Sequence, residues 1–217
     1  MTYARDERLA LCALLDRTGP DAPTLCVGWR TADLAAHLVL REHRPDAAAG
    51  LMGGPLAKHT TRAQRKLSGR TPYPMLVETI RSGPPRFSVF GIPGVDAKAN
   101  FAEYFVHHED VRRAQQDWQP RELGDDLTDA VWSQLSHARL MLRKVPVGIE
   151  FARDDIGEQP GGQRPLRMTV RPRTPVVTII GAPAELLMWS FGRTAAQVRL
   201  EGAQADVSAL EQAHWGV

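Results

Sequence analysis

The chain has 217 residues, 43% hydrophobic and 24% charged, the make-up of an ordinary soluble globular protein long enough for two modest domains. Its net charge of +2 is too small to argue for nucleic acid as a partner, and two cysteines, Cys12 and Cys26, with no CxxC pair, exclude a disulfide framework and fit a reducing compartment. The opening segment is charged and amphipathic without the apolar core of a signal peptide, and no apolar run reaches membrane-spanning length, so a cytoplasmic protein with no membrane partner is expected.

Residues 4–17 read as a helix, with Leu11, Leu14 and Leu15 as an apolar stripe and Asp6 and Glu7 in the first turn. Thr18-Gly19-Pro20 ends it, and a loop runs through Cys26 to Trp29. The next helix starts near Thr31, a good N-cap residue, and runs to about Arg44, because Pro45 cannot continue it. Leu34, Leu38 and Val39 form its core face, with His37 at the edge. Residues 45–98 are punctuated by Gly53-Gly54-Pro55, Thr71-Pro72, Gly83-Pro84-Pro85 and Gly91-Ile92-Pro93-Gly94. Two short helices are expected between these breaks, near 56–68 and 73–81. The first carries Lys58, Arg62, Arg65, Lys66 and Arg70, either as a solvated face or as a docking surface for an anionic ligand.

A long helix over 97–117 and another over 126–144, anchored by Leu127, Val131, Leu135 and Leu142 and capped by Asp125 or Asp126, complete a predicted four-helix bundle. After Pro146 the pattern changes to alternation in 147–151, 166–171 and 176–180, with a turn over 157–165. A short helix from Pro183 to Phe191 and a strand over 197–201 follow. The fold class is therefore α+β: a helical bundle over residues 1–145 and a small α+β domain over 146–217. Trp189, Phe191 and Trp215 are expected in the core of the latter.

The stretch from Asn100 to Asp110 carries the chemistry. On a helix turning about 100° per residue, Glu103, His107 and Asp110 share one face. A carboxylate and an imidazole one turn apart can grip one divalent ion at roughly 2.0–2.2 Å, and Asp110 is placed to orient His107 from behind. His108 is turned away and reads as a hydrogen-bonded helix residue. His43 and His59 are competing ligands. His37, alone on an apolar helix, reads by itself as a core histidine.

Three segments taken together resemble the mycothiol-dependent maleylpyruvate isomerase family of actinobacteria. They are Gly28-Trp29 with Asp33-Leu34 and His37-Leu38, then Glu103 with His107 and Asp110, then the run from Gly181 to Arg193. The resemblance implies a DinB-like metal-binding four-helix bundle followed by a sterol-carrier-like C-terminal domain. It implies that His37, Glu103 and His107 hold one divalent metal, zinc foremost, with nickel, iron or manganese also compatible with such a set. It implies mycothiol as thiol cofactor, and Arg193 in a cleft between domains, holding a carboxylate of substrate or cofactor. Arg193 also reads as an arginine that satisfies carbonyls at a helix end. Arg41, one turn beyond His37, either faces the metal cavity and helps to hold the cofactor or makes a surface ion pair.

The expected function is metal-dependent, thiol-assisted isomerisation or transfer on a small electrophilic substrate. The alternatives are a non-catalytic metal or small-ligand binding protein and a metal-dependent hydrolase. The expected partners are small molecules, with the chain as monomer or homodimer. Cys12 and Cys26 read as inert thiols.

Overall fold

The computed structural model describes residues 2–44, 57–85, 95–155 and 166–215. The breaks at Gly53-Gly54-Pro55 and Gly91–Gly94 and the turn over 157–165 lie outside the described residues. The chain is α+β and divides into two compact units, Met1–Pro120 and Arg121–Val217. No helix among the described residues is long and apolar enough to cross a membrane.

The first unit holds five helices among its described residues: α1 (Tyr3–Thr18), α2 (Thr31–His43), α3 (Ala57–Arg70), α4 (Tyr73–Ser82) and α5 (Val95–Arg112). In α1 the buried positions Ala4, Glu7, Arg8, Leu11, Cys12, Leu14 and Leu15 recur every three or four residues, which draws one stripe along the helix. The helix stops at Gly19, whose φ of 75° suits glycine and whose N–H reaches the Leu15 carbonyl at 3.0 Å. Thr31 is the first residue of α2 rather than its cap. The Asp33 carboxylate takes the backbone N–H of Arg30 at 3.1 Å instead.

Leu11, Leu15, Leu34, Leu38, Leu76, Ile80 and Tyr104 meet in one core drawn from α1, α2, α4 and α5. Each fully buried leucine there contributes about 1.5–3 kcal/mol before entropy is counted. From Tyr104 to Val111 every residue of α5 is buried. That run includes His107, His108, Glu109 and Asp110, so each needs a polar partner. Glu109 accepts from Arg113 Nε at 2.7 Å and from Arg112 at 2.8 Å. The Arg113 guanidinium lies 4.8 Å from the Trp118 ring centre.

The segment expected as the fourth bundle helix is not one regular helix. It runs as α6 (Asp125–Gln134), a 3₁₀ turn at Leu135–His137, α7 (Ala138–Met141) and a second 3₁₀ turn at Leu142–Lys144. It groups with the sheet in the second unit, so the division falls at 120/121 and not near 145. The strands are β1 (Gly148–Arg153), β2 (Arg167–Arg171), β3 (Val176–Gly181) and β4 (Arg199–Glu201), in the order β2-β1-β3-β4. β1 is antiparallel to β2 and parallel to β3, with Ile149 opposite Val177 and Phe151 opposite Ile179. Gly148 opens β1 where the Arg173 carbonyl passes so close that a β-carbon would collide with it.

Helix α8 (Pro183–Ser190) follows β3, and α9 (Gln204–Glu211) follows β4. Of the aromatic residues expected in this core, Trp189 is buried and Trp215 packs against it while only partly buried. The Trp189 ring lies 6.1 Å from Phe151 and 4.8 Å from Trp215, whose indole N–H donates to the Trp189 carbonyl at 3.1 Å. Phe191 is only partly buried.

Cys12 is fully buried on α1, and burial pushes its thiol up to about 11 from an ordinary 9.0. The folded chain therefore holds the proton that an unfolded chain releases. This contribution to stability is complete below pH 9.0 and is lost as the pH rises towards about 11. Denaturation midpoints measured from pH 8 to 11 are expected to fall more steeply for the parent than for Cys12→Ala, and Cys12 should resist thiol reagents at pH 8 until the chain unfolds.

Candidate metal centre

The site is built by two helices and the loop before α2. The loop is tied to α5 by the Leu25 N–H, which donates to the Asp110 carbonyl at 3.0 Å. It turns at Gly28, where φ is 76°, with the Trp29 N–H on the Cys26 carbonyl at 2.9 Å. This places the Trp29 ring 5.0 Å from the His37 ring.

On α5 the helical spacing places Glu103, His107 and Asp110 together, as predicted. His107 Nε2 lies 3.3 Å from Glu103 Oε1, and His107 Nδ1 lies 2.9 Å from Asp110 Oδ2. His37 reaches the same glutamate from α2, with Nε2 3.1 Å from Oε1. The two imidazole rings stand 5.1 Å apart, nearly edge to face.

Arg41 faces this cluster and not the surface. Its Nε is 3.5 Å from Glu103 Oε1, and its NH1 donates to Asn100 Oδ1. Asn100 donates in turn to Glu42 at 3.1 Å, and Glu42 accepts from Arg8 at 2.6 Å. The Arg8 guanidinium sits 4.7 Å from the Tyr104 ring centre. A buried polar chain thus links α1, α2 and α5 behind the site.

The protonation states follow from these contacts. Burial disfavours charge on Glu103, but hydrogen bonds from His107 and His37, and the charge of Arg41, outweigh it and hold the carboxyl well below the usual range. Burial also opposes a charged His107. The Asp110 hydrogen bond, helped by Cys26 and Glu103, overcomes this and raises the imidazole well above its ordinary value. His37 goes the other way, because burial dominates. With protons alone, His107 is an imidazolium donating from both nitrogens, and His37 is neutral with its proton on Nε2. That leaves His37 Nδ1 buried and without a hydrogen-bond partner among the described residues.

The same arrangement fits a cation. The ligand atoms of His37, Glu103 and His107 all lie within 4.8 Å of one another. Bonds of about 2.1 Å in a tetrahedron put neighbouring ligands about 3.4 Å apart, close to the 3.1 and 3.3 Å seen here. A proton held on His107 Nδ1 by Asp110 would leave the Nε2 lone pair for the ion. Glu103 and Asp110 against Arg41 leave the site net negative when both imidazoles are neutral. The nitrogen and oxygen donors suit zinc, nickel, iron or manganese.

The remaining candidates named from the sequence make contacts of their own. His108 Nδ1 pairs with Glu7 on α1 at 2.8 Å, a hydrogen-bonded helix residue as expected. His43 and His59 join neither metal-competent grouping among the described residues. Arg193 belongs to the second unit, where it is buried and its NH1 donates to the Phe191 carbonyl at 2.8 Å, the bond of an arginine closing a helix. Sequence reasoning missed Cys26. Its thiol donates to Asp110 Oδ2 at 3.2 Å and lies 4.0 Å from His107 Nδ1. Cys26, His107 and Asp110 form a second grouping of possible ligand atoms, on the far side of the His107 ring.

No family model matches the chain. Searches of curated proteins and of solved structures likewise find no match.

For an ion held by this triad, Asp110→Ala is expected to weaken affinity about 10–100-fold, because it removes the acceptor that fixes the His107 ring. Competition with a chromophoric chelator measures this. An unchanged affinity would show that Asp110 has no part in orienting the ligand.

Proposed function

We propose that this chain binds one divalent ion through His37, Glu103 and His107 and uses it with a small thiol, mycothiol, on a small electrophilic substrate, as an isomerase or transferase. The observation that carries the reading is the convergence of two imidazole nitrogens from separate helices on one carboxylate oxygen, at 3.1 and 3.3 Å. The order of motifs from Gly28 to Arg193 supports membership of the mycothiol-dependent maleylpyruvate isomerase family. In that reading the first unit is a DinB-like bundle and the second a sterol-carrier-like domain.

When bound, the ion supplies a Lewis acid that makes a thiol brought to it more acidic and so nucleophilic at neutral pH. The chain's own groups do the rest. Asp110 keeps a proton on His107 Nδ1 and aims the other nitrogen. Glu103 supplies the anionic ligand, and Arg41 holds it in place while offering positive charge to a carboxylate of the incoming molecule. The resemblance also gives Arg193 a carboxylate of substrate or cofactor to hold, beside the bond that its NH1 makes to the Phe191 carbonyl.

Metal analysis of the purified protein tests the assignment. About one equivalent of zinc or a related metal is expected in the parent, and almost none in His37→Ala or His107→Ala, since two remaining ligands rarely hold zinc. Unchanged stoichiometry in both variants would overturn it. A thermal shift of the zinc-loaded protein with mycothiol is the second arm. Metal binding without a thiol response points to the non-catalytic binder, and ester hydrolysis without thiol points to the hydrolase.

A further inference from the structure

Outside the metal site, several arginines are paired with carboxylates, and helix α3 differs from them. Arg8 pairs with Glu42, Arg113 with Glu109, Arg153 with Asp129 and Asp155, and Arg81 with Asp16 and Glu78. Helix α3 carries Lys58, Arg62, Arg65, Lys66 and Arg70 and no acidic residue at all. Arg62, Lys66 and Arg70 follow one another at four-residue spacing, so they share a face, and like charges so placed repel. None of the three is paired with a carboxylate among the described residues.

These three side chains line a cavity of about 440 Å³ together with His59 and with Arg44 at the end of α2. The described lining contains no carboxylate, and Ala63 and Leu67 form its apolar floor. The opposite side of α3 is held against α2, where Thr60 and Gln64 are buried and Gln64 donates to the Asp33 carbonyl at 3.2 Å. The basic face is thereby fixed in direction. Arg44 lies seven residues beyond His37, about 10 Å along the helix, so the cavity is distinct from the triad.

We propose that this cavity is a binding site for a small molecule bearing phosphate. Several positive groups converge, and guanidinium forks match phosphate oxygens in pairs. The volume is that of a small-molecule pocket, and a net charge of only +2 argues against an extended nucleic-acid surface. A second arginine-lined cavity, in the other unit, carries less. There Arg171 already donates to the carbonyls of Val147 and Arg143, and Arg143 to that of Leu140.

Calorimetric titration of the full chain with inorganic phosphate and with pyrophosphate at low ionic strength tests the proposal. Pyrophosphate is expected to bind at one site, more tightly than phosphate. Arg62→Ala/Lys66→Ala should weaken it by about tenfold or more, since each lost cation removes a charge-assisted bond. Arg139→Ala/Arg173→Ala, which removes the same charge from the other cavity, should leave affinity within about twofold. His37→Ala should bind as the parent does, which keeps this result separate from the fate of the metal assignment. The proposal fails if the parent does not bind, if both double variants weaken equally, or if His37→Ala abolishes binding. It also fails if a single-stranded oligonucleotide binds more tightly than pyrophosphate and is lost in the same variant. All four replaced cations of the double variants are solvent-exposed, so far-ultraviolet dichroism should be unchanged.

Discussion

The first unit depends on one requirement: an ionisable side chain withdrawn from water must meet a partner. Helix α5 is buried throughout 104–111 and places His107, His108, Glu109 and Asp110 in succession inside the protein. Leaving any of them unpaired would cost several kcal/mol, comparable with the whole stability of a small domain. Each pairing also constrains the fold. His108 pulls in Glu7 of α1, and Glu109 holds the two arginines that follow it. Glu103, one turn earlier, joins α5 to α2 through His37 and Arg41. The polar interior therefore determines which helices touch, while the leucines supply the bulk of the driving force.

The triad has two ways to meet that requirement. Protons can fill it, with a charged His107 between two carboxylates, or a divalent ion can, with both imidazoles neutral. In both states His37 Nδ1 stays buried with no partner among the described residues, as an acceptor in the first and as an N–H donor in the second. The Cys26 thiol on Asp110 matters to either state, because it occupies part of the carboxylate that steadies His107.

What could be read from the residues alone divides along the distance over which they act. Glu103, His107 and Asp110 are legible because a helix brings them together by local geometry. The bounds of α1, α2, α3 and α4 follow from apolar spacing and from Gly and Pro, and fall within a few residues of expectation. His37 lies 66 residues from Glu103, and only the likeness of motifs pointed to it. Cys26 lies 84 residues from Asp110, with no local signal at all. The segment 125–144 misled because Leu127, Val131, Leu135 and Leu142 fit a continuous helix, while 3₁₀ turns at Leu135 and Leu142 carry the same leucines inward. Its membership of the second unit rests on packing of α6 against α8, which periodicity does not encode.

The order of the small sheet has a consequence for how the protein behaves in a crowded solution. Among the described residues its two rims are β2 and β4, strands of five and three residues. β2 begins and ends on arginine, and β4 runs from Arg199 to Glu201, both of them exposed. Short, charged rims make poor templates for another strand, so growth into stacked aggregates by edge-to-edge joining is discouraged while the central pair β1 and β3 stays closed to intruders.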